Sequence, residues 1–172
     1  MKTLLAVYHS STGGTLQMVR AAVAAATTGG APGGEAQSVG LSVRMLSAAA
    51  AGPDDVLGAD GYLFATPENL ASMAGVMKDF FDRSYYPALE RVAGRPYATL
   101  VCAGSDGRNT VRQIERIATG WRLRAIAAPL IVCTHADTPQ AILRPKQIGA
   151  VDLARCAEIG ATLGLGLELG VF

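Results

Sequence analysis

The residues best suited to chemistry are Ser10, Ser11, Thr12, Gly13, Gly14 and Thr15, a run of small residues directly after the apolar stretch that ends at Tyr8. Between a strand and a helix, such a loop turns free backbone N–H groups and the positive helix end toward an anion. Its hydroxyls add neutral donors, and its glycines permit close approach. No Lys or Arg lies between Tyr8 and Met18, which argues against a Walker-type nucleotide loop, where a lysine must reach the outer phosphates. A single phosphate monoester is the better match. The same residues also suit an ordinary turn, with Thr12 or Thr15 capping the helix and the glycines making the bend.

Two later loops have comparable composition. In Thr66-Pro67-Glu68-Asn69-Leu70-Ala71-Ser72 the proline stiffens the turn, and Ser72 stands where a helix cap would. Met73, Met77, Phe80 and Phe81 follow at helical spacing and read as core, whereas Lys78, Asp79, Asp82 and Arg83 read as a solvated face. The stretch from Ala103 through Gly104, Ser105, Asp106, Gly107, Arg108 and Asn109 to Thr110 also opens a helix. Gly104 and Gly107 let a backbone pass close to a flat ring, or simply make a tight turn. Cys102 and Arg108 form a C-x5-R spacing, the phosphatase arrangement of thiolate and arginine. Asp106 inside that loop would repel a phosphate, and no Asp-Pro pair supplies a general acid, so a buried Cys102 at a strand end is the better reading. His9 and His135 are isolated and read as loop or surface histidines.

These loops need elements to hold them. Thr3 to Tyr8, Leu41 to Leu46, Gly61 to Ala65, Tyr97 to Ala103 and Pro129 to Cys133 are short apolar runs without clean alternation, as in strands buried on both faces of a parallel sheet. Leu16, Val19 and Val23 share a helical face between the first two, and Val111, Ile114, Ala118 and Trp121 share one later. Pro53 to Leu57 suits a short helix. A last helix is expected from Asp152 to about Leu165, its end weakened by Gly160, Gly164 and Gly166. Thr27 to Gly34 reads as a flexible connection. The alternation predicts a doubly wound α/β sheet, which binds ligands outside the carboxyl ends of its strands. The three loops lie at that edge.

Composition narrows the partners. The 172 residues, 50% hydrophobic and 17% charged, suit one domain spanning residues 1–172. A net charge of +1 offers no electrostatic case for nucleic acid or an anionic membrane, so a small-molecule partner is expected. The apolar start is cut short by His9-Ser10-Ser11, no run is long enough to span a bilayer, and Cys102, Cys133 and Cys156 show no metal or disulfide spacing. A cytoplasmic location without bound metal is expected.

The pattern Ser10-x-Thr12-Gly13-x-Thr15 after the first strand resembles the flavodoxin phosphate loop, and the spacing Pro67-Glu68, Ser72, Gly75, Lys78 and Asp82 is similar to NAD(P)H-dependent FMN reductases and related quinone reductases. The resemblance covers about the first two thirds of the chain. It implies a flavodoxin-like three-layer sandwich with a five-stranded parallel sheet in the order 2-1-3-4-5. It also implies FMN, with the phosphate at Ser10, Ser11, Thr12, Gly13, Gly14 and Thr15, and the ring near Thr66, Pro67, Glu68, Asn69 and Leu70 and near Ala103, Gly104, Ser105 and Asp106. Electron-carrier flavodoxins are acidic and sandwich the ring between aromatics. This chain is near neutral, and neither ring loop holds an aromatic. The resemblance therefore implies an FMN oxidoreductase that moves electrons from NAD(P)H to a quinone or other small acceptor, the alternative being an electron-transfer flavodoxin serving a protein partner. The flavin would do the redox chemistry with no side chain required as acid or base. A homodimer or larger assembly is expected. Thr134 to Ala150, long for a connection, would shape the acceptor site or an interface.

Overall fold

A computed structural model describes residues 1–29 and 40–172. The strands are β1 (Lys2–Tyr8), β2 (Leu41–Ser47), β3 (Gly61–Asn69), β4 (Ser72–Met73), β5 (Pro96–Ala103), β6 (Arg124–Ala125) and β7 (Leu130–Cys133). The helices are α1 (Gly14–Thr28), α2 (Pro53–Leu57), α3 (Gly75–Ala88), α4 (Arg108–Gly120), α5 (Pro139–Leu143) and α6 (Ala150–Leu169). The sheet runs β2-β1-β3-β5, with β6 and β7 both pairing with β5 at its outer side. Every pairing is parallel except the short β3–β4 hairpin.

The expected flavodoxin-like α/β class is therefore present, with a refinement of strand count. The fifth place in the expected order is filled by two pieces, because the chain leaves the ladder between Ala125 and Leu130, where Pro129 has no N–H to donate.

Helices on both faces explain why the strands read as continuous apolar runs. Leu4 and Ala6 pack with Met18, Val19, Ala22, Cys156 and Leu163 beneath α1 and α6. Leu5 and Val7 point the other way, among Phe64, Phe80, Phe81 and Trp121 beneath α3 and α4. One period-two strand thus feeds two cores. The fully buried aromatics belong to the second core, whereas the first is built from aliphatic and small side chains.

Three local expectations are corrected. The segment after the third strand is no simple loop: β3 continues through Pro67 to Asn69 and turns back into β4. Ser72 is therefore a strand residue bonded to Gln113, and the residue preceding α3 is Ala74. Finally, α6 passes unbroken through Gly160, Gly164 and Gly166. A Cβ at Gly160 would lie 1.9 Å from the Ala22 carbonyl oxygen, and one at Gly164 would lie 2.7 Å from that of Ala26. These glycines let two helix backbones touch, and the packing gained outweighs their poor helix propensity. Of the glycine-rich connection, Thr27 and Thr28 complete α1, and Gly30 to Gly34 lie outside the described residues.

Candidate functional site

The first loop leaves its donors free. Gly13 adopts φ 86°, a left-handed conformation that turns the chain into α1. Among the described residues, the backbone N–H groups of Ser11, Thr12, Gly13, Gly14 and Thr15 have no protein acceptor. The side chain that secures the helix start is neither Thr12 nor Thr15: Ser10 Oγ accepts the Leu16 N–H at 3.2 Å. Thr15 is buried. A side chain at Gly14 would fill the cradle, since a Cβ there would stand 2.7 Å from Cys102 Sγ and 3.2 Å from Lys146 Cβ.

A distant segment, the strap that connects β7 to α6, closes over this loop. The Lys146 N–H donates to the Thr12 carbonyl at 2.8 Å, and Gln17 Nε2 donates to the carbonyls of Gly13 at 3.1 Å and Lys146 at 2.7 Å. Gln17 Oε1 accepts the Ile148 N–H at 3.2 Å. Ahead of this staple lies α5, capped by Thr138 Oγ1, which accepts the Ala141 N–H. The Lys146 ammonium donates to the carbonyls of Ala141, Ile142 and Arg144 at 2.7, 2.8 and 2.7 Å. Gln17 and Lys146 escaped sequence reasoning because their contacts join positions 129 residues apart. The length of the Thr134–Ala150 connection was the only signal.

The hairpin makes the opposite wall. Leu70 and Ala71, the two residues joining β3 to β4, have φ 50° and 58°, the conformation of a type I′ turn that ordinarily uses Asn-Gly. Asn109 Nδ2 donates to the Ala71 carbonyl at 2.7 Å, and Gln113 Oε1 accepts the Met73 N–H at 2.9 Å. Glu68 joins the second loop to the third: one carboxylate oxygen accepts the Gly107 N–H at 3.0 Å, and the other accepts the Thr110 hydroxyl at 3.2 Å.

Between these walls lies an open cleft of about 480 Å³, within the range of small-molecule sites. It brings together Ser10, Ser11, Thr12, Gly14 and Thr15 with Pro67, Glu68, Asn69 and Leu70, and with Ala103, Gly104 and Ser105. Gly13, Thr66 and Asp106 do not line it. Gly13 shapes the turn, Thr66 is buried with its hydroxyl accepting the Ala74 N–H, and Asp106 pairs with Arg108 at 2.5 Å. Cys102, Ile142, Leu143 and Lys146 are among the other lining residues, and the lining contains no aromatic side chain.

Electrostatics remove the phosphatase arrangement. Burial pushes the Cys102 thiol up, away from the thiolate that nucleophilic chemistry requires. The Arg108 side chain is 80% exposed on Asp106, turned to solvent rather than around an anion. His9 is held below its ordinary value by burial, and His135 is exposed. Among the described residues no cluster of His, Cys, Asp and Glu could hold a metal, and no helix is long and apolar enough to cross a membrane.

A family model described as NADPH-dependent FMN reductase matches residues 45–137, more than half of the chain. The chain belongs to this family. The match includes the hairpin and the third loop and begins after the first loop. The fold extends the likeness to nearly the whole chain. A flavodoxin from the domain Archaea shares 15% identity at a TM-score of 0.72, covering 96% of this chain and 98% of its own. A WrbA-like flavodoxin from Agrobacterium tumefaciens shares 16% at 0.72, covering 98% and 99%. An oxidoreductase from Corynebacterium diphtheriae shares 21% at 0.64, covering 96% and 97%. No curated protein matches the sequence. The protein is accordingly an FMN-binding oxidoreductase with FMN as its cofactor.

The residues present fit that cofactor. A phosphate tail needs unpartnered donors and little steric obstruction, and the first loop provides a row of free N–H groups around a cradle that a Cβ at Gly14 would fill. A flat, largely apolar ring needs a slot with few charges, and beyond the first loop the lining includes Pro67, Leu70, Ala103, Gly104, Ile142 and Leu143, with Glu68 and Lys146 its only charged side chains.

Proposed function

We propose that this oxidoreductase takes a hydride from NADH or NADPH and delivers the electrons to a quinone or a similar small acceptor. The observation that carries the reading is the cleft wall: it is lined mostly by small and aliphatic residues and has no aromatic side chain to stack over a flavin. A nicotinamide and then a quinone can approach a ring left open on one side, at the short distance that hydride transfer demands.

In this reading the phosphate lies in the loop Ser10-Ser11-Thr12-Gly13-Gly14-Thr15, among its free N–H groups, and the ring lies along Pro67 to Leu70 and Ala103 to Ser105, the part of each expected ring segment that lines the cleft. Bound there, FMN supplies the two-electron chemistry. The chain binds, orients and shields. Pro67 and Gly104 flank the slot with little bulk, and Glu68, with both carboxylate oxygens engaged, holds the second and third loops at a fixed separation. In balance, the dihydronicotinamide gives up two electrons and one proton, while a quinone takes up two electrons and two protons, the additional one from solvent. We read residues 1–172 as one flavodoxin-like FMN-binding domain. Leu70 and Leu143, 101% and 77% exposed at the cleft rim, favour a homodimer or larger assembly.

Anaerobic addition of NADPH or NADH to the yellow holoprotein is expected to bleach the flavin band, and a quinone is expected to restore it. Bleaching by dithionite alone would assign the protein to electron carriage instead. Light scattering of the eluting holoprotein tests the assembly, and a monomeric mass would remove that part of the reading.

A further inference from the structure

We propose that Lys146 is a binding residue for the FMN phosphate, acting through its charge rather than through a hydrogen bond. The inference rests on the reading that the phosphate occupies the Ser10–Thr15 loop.

Lys146 reaches that loop from the far end of the sequence. Its N–H holds the Thr12 carbonyl, its own carbonyl is held by Gln17, and its Cβ is among the first atoms a side chain at Gly14 would meet. The residue lines the cleft and is half-buried. Its three ammonium hydrogens are matched by the carbonyls of Ala141, Ile142 and Arg144, all neutral, and among the described residues no carboxylate lies within ion-pair distance. A half-buried cation solvated by dipoles still lacks a counter-charge, and its field is screened less than that of a surface lysine. The field reaches the floor of the loop, where it draws the Cys102 thiol down against the larger upward push of burial.

The cleft is polarised as a result. Lys146 stands beside the free N–H groups of the first loop, and the Glu68 carboxylate stands at the hairpin wall. A ligand with an anionic tail and a neutral ring is therefore favoured in one orientation, tail toward Lys146. This reconciles a phosphate loop that lacks Lys and Arg with the charge of a phosphate monoester. The loop contributes the donors, and the strap contributes the cation. Because the ammonium hydrogens are already engaged, the lysine attracts the phosphate without displacing the loop's own donors.

The test compares FMN with riboflavin, which has the same ring and no phosphate, by fluorescence titration of the full-length protein stripped of flavin. Lys146→Met is expected to weaken FMN about tenfold more than it weakens riboflavin, and Lys146→Arg is expected to retain most of the FMN affinity. Added salt is expected to narrow the difference between FMN and riboflavin in the parent protein and to change it less in Lys146→Met. Inorganic phosphate supplies a probe without a ring, and its competition against FMN should weaken in Lys146→Met. Equal weakening of FMN and riboflavin would show that Lys146 only supports the strap and would overturn the proposal, as would unchanged affinity for both. If Gly14→Val also left FMN binding intact, the placement of the phosphate would itself be wrong. Loss of FMN in Gly14→Val with no selective effect of Lys146→Met would sink the lysine's role alone.

Discussion

The two ends of the cleft are built on opposite plans. The first loop is marked by its backbone: consecutive N–H donors without a protein acceptor, a glycine whose Cβ would crowd Cys102 and Lys146, and a Gln17 staple that ties the loop to residues 146–148. At the hairpin the groups are side chains on an outlying turn, with Leu70 fully exposed in a left-handed conformation. Backbone donors at a helix start are fixed once the fold forms, so they are in place before a ligand arrives. Aliphatic tips on a turn can shift at modest cost. The contrast suits a cofactor held firmly by one end while the other stays accessible to passing substrates.

The contrast breaks most sharply at Gly14. Gly14→Val would drive a side chain toward Cys102 and Lys146, and FMN affinity is expected to fall about tenfold to a hundredfold, as for an overpacked site. Flavin fluorescence titration reads the change. A loss of less than about twofold would mean that the loop end is as forgiving as the hairpin end.

A smaller effect is expected at the hairpin. Replacing Leu70 and Ala71 together by Asn and Gly gives the turn the residues its conformation prefers, and is expected to stabilise the protein by about 1 kcal/mol, raising Tm by about 2–4 °C. FMN affinity should change by less than about threefold. Calorimetry and the same titration decide, and a loss of FMN comparable to that in Gly14→Val would erase the distinction between the ends.

The smallest effect concerns His9, which precedes the first loop and lies 3.4 Å from Ser11 Oγ through Nε2. Burial lowers its folded-state pKa below 6.5, so the unfolded chain binds the proton more readily. The resulting stability is present in full above the unfolded value and is lost as pH falls through the lower folded value. Melting temperature should therefore decline on acidification below about pH 6.5, and His9→Gln should flatten that decline. A variant with the parent's pH profile would remove His9 as its source.

Much of this was legible in order along the chain. The continuous apolar strands announced burial on both faces, and β1 divides its side chains between two cores as that reading requires. The run of small residues from Ser10 to Thr15 announced a strand-to-helix turn with free donors. Other features were not legible, for physical reasons. Asn69-Leu70-Ala71-Ser72 has none of the Gly chemistry that marks a tight hairpin, and β4 is held in part by Gln113 from α4. Gly160 and Gly164 look like helix breakers until α1 is seen lying against them.

Local sequence thus determined the type of the main strands and helices and the composition of each loop, because strand, helix and turn preferences act over a few residues; β4, β6 and α5 were not read from it. The tertiary structure decided which groups meet. Lys146 reaches the first loop, Glu68 bonds to the third, and the strap closes one wall only because the parallel sheet brings distant strand ends to one edge. A loop without a basic residue acquired a neighbouring cation, through contacts that no local pattern encodes.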